Sequence, residues 1–323
     1  MRVMLTLGAI IAALFPGAGA AAAPAPGIPL SVPRARLDGA LHCTGDLAGT
    51  RRSGRAPVLL VHGTTSTARA NFSWNWDRAL DAGHRAHCDV DLPESGNGDI
   101  QTAAEYVVHG IRRMHAVAGG RISLVGHSQG GMIGRWALKY WPDTRRMVDD
   151  YVSLASSNHG TDEFAVQCGA TRSCSAAYWQ QRTGSAFLTA LNTGPQIWPG
   201  ISYTQIMTEH DEIILPYARS ALPPSALVAN VRVQDLCRYE TVEHFGMAYD
   251  NAAWLLGEDA LTHPGPVRPS RTNRATCGWP LMPSVDPLAF PANAAAALAQ
   301  STTSMLTAPM FAAEPPLRAY ARG

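Results

Sequence analysis

Residues 121–136 read RISLVGHSQGGMIGRW, and this stretch limits what the chain can become more than any other. Ile122 to Val125 has the composition of a short buried strand, Ser128 sits between Gly126 and Gly130, and Met132 to Tyr140 reads as a helix that stops near Pro142. A strand, a tight turn and a helix in that order form the context in which Gly-x-Ser-x-Gly presents a nucleophile. Gly126 and Gly130 avoid side-chain crowding on either side of the serine, and Gly131 lets the first helical turn approach closely. A serine hydroxyl attacks only when a base takes its proton, and the base needs an acceptor that sets its tautomer. The rest of the chain has to supply both.

The surrounding pattern is compatible with that demand. APVLLV at 56–61 reads as a strand entering an HGTT loop, and a second strand is expected over Ala86 to Leu92, before the turn-rich PESGNG. Asp99 can cap a helix in which Ile100, Ala104, Val107, Ile111 and Met114 recur at offsets of four and three, a stripe able to cover one sheet face. VDDYVSLAS, ISYTQIM and LVANVRV read as further strands, a long loop with two cysteines separates the first two of these, and residues 248–258 suggest a helix. Short strands alternating with helices or long crossovers favour an α/β architecture with a mainly parallel central sheet. With 323 residues, 46% hydrophobic and only 16% charged, the chain can build one large α/β domain or two smaller ones, and no secure boundary divides it. A net charge of +1 gives no global attraction to nucleic acid or an anionic membrane.

The N-terminus, MRVMLTLGAIIAALFPGAGAAAAPAPG, places Arg2 before an apolar run and then small residues, the order of a secretory signal over 1–23. The run is shorter than the roughly 20 residues of a membrane span and is broken by Pro16 and Gly17. The mature chain, 24–323, is therefore expected to be exported and soluble. In an oxidising compartment Cys43, Cys88, Cys168, Cys174, Cys237 and Cys277 suggest three disulfides of open connectivity, and their wide spacing argues against a metal cluster. From Pro283 the chain becomes rich in alanine and proline, with a helix expected over Ala292 to Leu306. This tail, 290–323, reads either as a flexible extension or as a segment that packs near the entrance of a cleft, and the second is favoured because Met305, Leu306, Met310 and Phe311 remain to be buried.

Where a nucleophile turn of this kind occurs in an α/β sheet, the partners follow in the order Ser, acid, His. His159, His210, His244 and His263 come after Ser128. His159 would need another order, His210 adjoins Asp211 and would point away from it, and His263 beside Pro264 reads as a surface turn. Asp211 after the ISYTQIM strand and His244 after the last strand fit best, with Glu209, Glu212 and Asp235 as lesser acids. Attack on a carbonyl creates a negative oxygen that needs fixed donors. Gln129 offers its backbone NH, and Thr64 in HGTT its NH and hydroxyl. His62 and His127 are read as shaping the pocket.

On these residues the chain resembles the α/β-hydrolases and, more narrowly, the Candida antarctica lipase B group of secreted lipases. The resemblance runs through PVLLVHGTTSTARANFSWNW, VGHSQGG, YWQQRTGSAFLTAL, TEHDEIILP, EHFG and TCGWPLMP, roughly residues 40–290. It implies an α/β-hydrolase fold, Ser128, Asp211 and His244 as triad, Thr64 and Gln129 as oxyanion hole, and Gln181 near the substrate pocket. It also implies the pairs Cys43–Cys88 and Cys237–Cys277, which leaves Cys168–Cys174 as a short-loop bridge. Three departures bear on specificity: His127 replaces a bulky tryptophan, Ser157 stands in place of a pocket aspartate, and the C-terminal segment lacks a late cysteine pair. The expected activity is hydrolysis of lipophilic carboxylic esters such as triacylglycerols, with neither cofactor nor metal, by a monomer that touches a lipid interface transiently. Short-chain esterase, polyester hydrolase and acyltransferase are the enzymatic alternatives, and a non-catalytic binding protein is the alternative outside enzymes.

Overall fold

The computed structural model describes residues 27–322; the segment read as a secretory signal lies outside the described residues. Seven strands form one sheet: β1 (Leu41–Thr44), β2 (Val58–Val61), β3 (His87–Val90), β4 (Ile122–His127), β5 (Val148–Leu154), β6 (Ser202–Met207) and β7 (Val228–Arg232). Their order is β1-β3-β2-β4-β5-β6-β7, with β1 antiparallel to β3 and every other pair parallel. This is the α/β-hydrolase fold, a mostly parallel central sheet flanked by helices.

The central strands are apolar on both faces because both faces are covered. Leu59, Val61, Leu124 and Tyr151 point into one core with Ile111 and Trp136, which come from the helices Ile100–Ala118 and Gln129–Tyr140. Val58, Leu60, Val125 and Val152 point the other way, against Trp76 and against Trp254 and Leu256 of the helix Asn251–Thr262. The period of two along each strand thus builds two cores from one sheet. The Ile100–Ala118 helix is capped as its sequence predicts: Asp99 accepts from the NH of Gln101, and Gly119 closes the end in the left-handed region at φ 64°.

Several local expectations shift. β1 is not foreseeable from LHCT, which is too short and too polar to read as a strand; it is held by pairing with β3, where Cys43 lies opposite Cys88 and is bonded to it. The stretch read as a long cysteine-containing loop is instead largely helical, over Asp162–Thr171, Ala176–Gln181 and Ala186–Asn192. Thr161, Ser175 and Ser185 cap these helices through their hydroxyls, start signals that the helices' short apolar stripes obscure. The helix suggested at 248–258 begins only at Asn251, where Asp250 accepts from the NH of Ala253, and runs on to Thr262. Cys168–Cys174 and Cys237–Cys277 are the other two disulfides. No helix among the described residues is long and apolar enough to cross a membrane.

The tail helix spans Phe290–Thr307 and docks, but not by burying the side chains expected to do so. Met305, Leu306, Met310 and Phe311 remain 45%, 78%, 55% and 43% exposed. Other side chains and polar contacts hold the tail: Tyr320 packs against Trp136 and Trp141. The Phe311 carbonyl accepts from Trp179 Nε1 at 2.8 Å, Glu314 accepts from the NH groups of Ala186 and Phe187, and Arg318 pairs with Glu105 at 2.7 Å. Thr65 and Ser301 join through their hydroxyls at 2.7 Å, tying the tail helix to the loop after β2.

Candidate active site

The parallel strands end along one edge of the sheet, and the loops that leave them there carry the site, as expected for open α/β sheets. Ser128 follows β4 and precedes the helix Gln129–Tyr140, with φ 55° and ψ −123°. A non-glycine residue in this conformation is strained and persists only when its surroundings impose it. Here the Ser128 NH donates to the Leu154 carbonyl on β5, and the Ser128 carbonyl accepts from Gly131. A Cβ on Gly126 would overlap the Gly130 carbonyl, and one on Gly130 would overlap the carbonyl of Val61. Neither obstacle is a movable side chain, so glycine is required at both positions for the turn to close against β2.

Asp211 follows β6 and His244 follows β7, and the two meet in space. His244 Nδ1 lies 2.9 Å from Asp211 Oδ1 and 3.1 Å from Oδ2. Asp211 is itself fixed, since Oδ1 accepts from the NH groups of Ile213 and Ile214 at 3.0 and 2.7 Å. The His244 backbone NH donates to Glu212, which accordingly anchors the loop from a place beside the ring. Burial pushes the His244 imidazole down, but the Asp211 carboxylate and its hydrogen bond more than offset this, and the net shift is upward from the ordinary imidazole range. His127 has no such carboxylate against it. Burial, with a further push from His244, takes it down to about 3, so it is a neutral ring near pH 7, and its Nε2 donates to the His244 carbonyl at 3.0 Å.

Ser128, His244 and His127 line one cavity of about 260 Å³, together with Thr64 of the loop after β2. Its wall is completed by Phe164, Tyr178, Ile213 and Phe245, and by Leu298, Ser301 and Met305 of the tail helix. The side chains of Gln129, Gln181 and Ser157 are buried behind Thr64 rather than in the cavity wall. Gln129 Nε2 and Gln181 Nε2 both donate to Thr64 Oγ1, at 3.0 and 2.9 Å, and Ser157 Oγ donates to Gln181 Oε1 at 2.7 Å. His62 is likewise not in the wall. It is a staple beneath the loop, with Nδ1 donating to the Gly63 carbonyl and Nε2 accepting from the Leu92 NH.

The other candidates are drawn elsewhere. His159 is engaged by the Arg219 carbonyl and Gln196, Glu209 and Asp235 pair with Arg232, and His263 pairs with Asp259 at the surface. The tail-helix residues of the wall were not foreseeable, because they are distant in sequence and belong to no motif. Asn71, which accepts from the Gly63 NH at 3.1 Å, had a weak signal in its place soon after HGTT.

The model of the Lipase (class 2) family matches residues 55–251, which spans the loop after β2, the Ser128 turn, Asp211 and His244. The chain belongs to the class 2 lipase family. Lipase B of Pseudozyma antarctica is 30% identical over 306 residues, covering 90% of this chain and 86% of that protein. Among solved structures, Aspergillus fumigatus lipase B superposes with a TM-score of 0.84 at 30% identity, covering 92% of this chain and 74% of the other. A Bacillus licheniformis lipase in its mature form, at 15% identity and a TM-score of 0.50, covers 68% of this chain and 95% of its own and shares the fold. The protein is thus an α/β-hydrolase of lipase/esterase type.

Proposed function

We propose that this class 2 lipase hydrolyses lipophilic carboxylic esters such as triacylglycerols through an acyl-enzyme on Ser128. His244 takes the Ser128 proton as the oxygen attacks the acyl carbonyl. Asp211 holds the imidazole with Nδ1 protonated and stabilises the cation that forms. The backbone NH groups of Gln129 and Thr64 and the Thr64 hydroxyl receive the oxyanion. The His244 cation then gives its proton to the departing alcohol, and the neutral ring activates a water that releases the acid. No step calls on a metal or an organic cofactor. Ester, alcohol and water are the only partners required.

The single observation that carries this reading is the His244–Asp211 hydrogen bond at 2.9 Å, made by a ring that shares its cavity with a backbone-strained Ser128. The apolar wall of Phe164, Ile213, Phe245, Leu298 and Met305 supports a lipophilic substrate. Three disulfides support action outside the cell. The test compares the mature protein with Ser128→Ala on a p-nitrophenyl ester and a serine-reactive fluorophosphonate. Turnover is expected to fall by roughly 10⁵–10⁶-fold and labelling to vanish; equal turnover and labelling would reject the mechanism. Parallel assays on emulsified triacylglycerol and on a soluble short ester separate lipase from short-chain esterase, since cleavage of the short ester alone would remove the lipase assignment and leave the mechanism standing.

A further inference from the structure

We propose that a cavity at the opposite end of the sheet from Ser128 is a binding site for a small tetrahedral oxyanion of the phosphate and sulfate class, held by Arg85 and Arg55. The cavity measures about 410 Å³, and these two residues line it with Asp46, Thr50, Ser53 and His84. Arg55 precedes β2 and Arg85 precedes β3, so both stand where parallel strands begin, whereas Ser128, Asp211 and His244 follow the ends of theirs. The cavity shares no lining residue with the one that holds Ser128, so an anion bound here stands apart from the chemistry of ester cleavage.

Arg85 carries the assignment. It is only 5% exposed, yet its bonded partners are neutral: Nε donates to the Ala56 carbonyl at 2.8 Å and Nη1 to the Leu261 carbonyl at 3.0 Å. Nη2 has no acceptor among the described residues, which leaves this NH₂ as the end of the guanidinium that serves the cavity Arg85 lines. The charge acting most strongly on Arg85 is another cation. Burial first, and then Arg55, lowers its pKa to about 10, with Asp150 and Glu258 opposing. Arg55 Nη1 donates to the Gly83 carbonyl at 2.8 Å, and its other NH groups have no acceptor among the described residues. Thr50 and Ser53 give their hydroxyl protons to the carbonyls of Leu47 and Thr50, and Asp46 Oδ1 accepts from the Gly49 NH, so the donors left for a ligand are the two guanidinium groups. A guanidinium buried without a counter-ion is costly, and a second one beside it adds to the cost; an anion bridging the two offsets both effects. Guanidinium forks match phosphate oxygens bidentately, and a tetrahedral ion offers oxygens to two forks at once, where a carboxylate offers one edge.

The test melts the full mature protein while sodium chloride is replaced stepwise by sodium phosphate at constant ionic strength, and titrates phosphate into it by calorimetry. An anion that binds only the folded state raises Tm along a saturating curve, by about 2–4 °C at ten times its Kd. Arg55→Gln, at an exposed position that leaves the core intact, is expected to weaken phosphate binding about tenfold, and so is Arg85→Lys, which keeps the charge and loses the fork. Each variant is compared with itself with and without phosphate, so a lower starting Tm in Arg85→Lys does not obscure the result. Arg146→Gln, which removes an exposed cation elsewhere, is expected to keep the wild-type response. A Tm that climbs without saturating, or climbs equally in Arg55→Gln, would identify general exclusion of the salt from the protein surface and overturn the site. Cosedimentation with phosphatidic acid vesicles that depends on Arg55, in the absence of any response to free phosphate, would assign the two arginines to a lipid headgroup and overturn it equally.

Discussion

His244 is held between two opposed influences, and the balance sets the working pH. Burial favours the neutral ring, whereas Asp211 favours the cation and prevails, so the folded-state pKa lies above the ordinary imidazole value. Only the neutral ring can accept the Ser128 proton, so activity is expected to fall as pH drops through this raised pKa. Replacing Asp211 by Asn removes the main raising influence. The acid limb of kcat/KM should then move to lower pH, while the rate itself drops about 10³–10⁴-fold because the tautomer is no longer imposed. A pH profile for Asp211→Asn whose acid limb coincides with that of the wild type would sever the assigned link between the two residues. The same residue scale explains why His127, adjacent to Ser128 in sequence, is not a competing base. Its side chain is directed at the His244 backbone, and burial keeps it neutral.

At the scale of elements, the tail helix Phe290–Thr307 does two things at once. It completes the cavity through Leu298, Ser301 and Met305, and it leaves apolar surface outside, with Leu298 62% and Leu306 78% exposed. An apolar rim at the mouth of a site is a place for a lipid surface or a long acyl chain to be removed from water, and a side chain of this size contributes about 1 kcal/mol when half of it is covered. Leu298→Gln combined with Met305→Gln is therefore expected to reduce turnover of emulsified triacylglycerol several-fold while altering turnover of a soluble short ester by less than about twofold. Equal losses on both substrates would assign the helix to the chemistry or the fold rather than to the lipid.

For the whole molecule, a near-neutral and lightly charged surface gives no long-range steering, and the pH response of stability comes from inside. Asp89 on β3 is buried against Asp77 with Asp91 and Asp81 nearby; burial first, then Asp77, pushes it up to about 9, and burial also raises Asp77. His87 Nε2 lies 3.7 Å from Asp77 Oδ1 and works against the rise at Asp77. An acid whose folded pKa is raised binds its proton more tightly folded than unfolded. Its stabilising contribution is full below the ordinary carboxyl value of 3.8 and is lost as pH rises toward about 9. Asp89→Asn, a neutral mimic of the protonated acid, should flatten the decline of Tm as pH rises from 3.8 toward about 9. A decline as steep as that of the wild type would show that the loss arises elsewhere.

Much of the site was legible in the sequence because its chemistry is local. The GHSQGG turn has to be glycine-flanked, since a Cβ at Gly126 or Gly130 meets backbone, and the order of Ser128, Asp211 and His244 follows from the order of the strands that carry them. The near-continuous apolar runs of β2 and β4 likewise determined a sheet covered on both faces. Other features depended on contacts between distant segments, which no local pattern encodes. The edge strand β1 exists through its partner, and the tail is fixed by Glu314, Arg318 and the packing of Tyr320 on Trp136 and Trp141, while Met305, Leu306, Met310 and Phe311 stay largely exposed. Sequence placed Ser157 and Gln181 close to the substrate, but the tertiary structure set them behind Thr64. Hydrogen-bond direction depends on which atoms meet across the fold, so that decision could be made only in three dimensions.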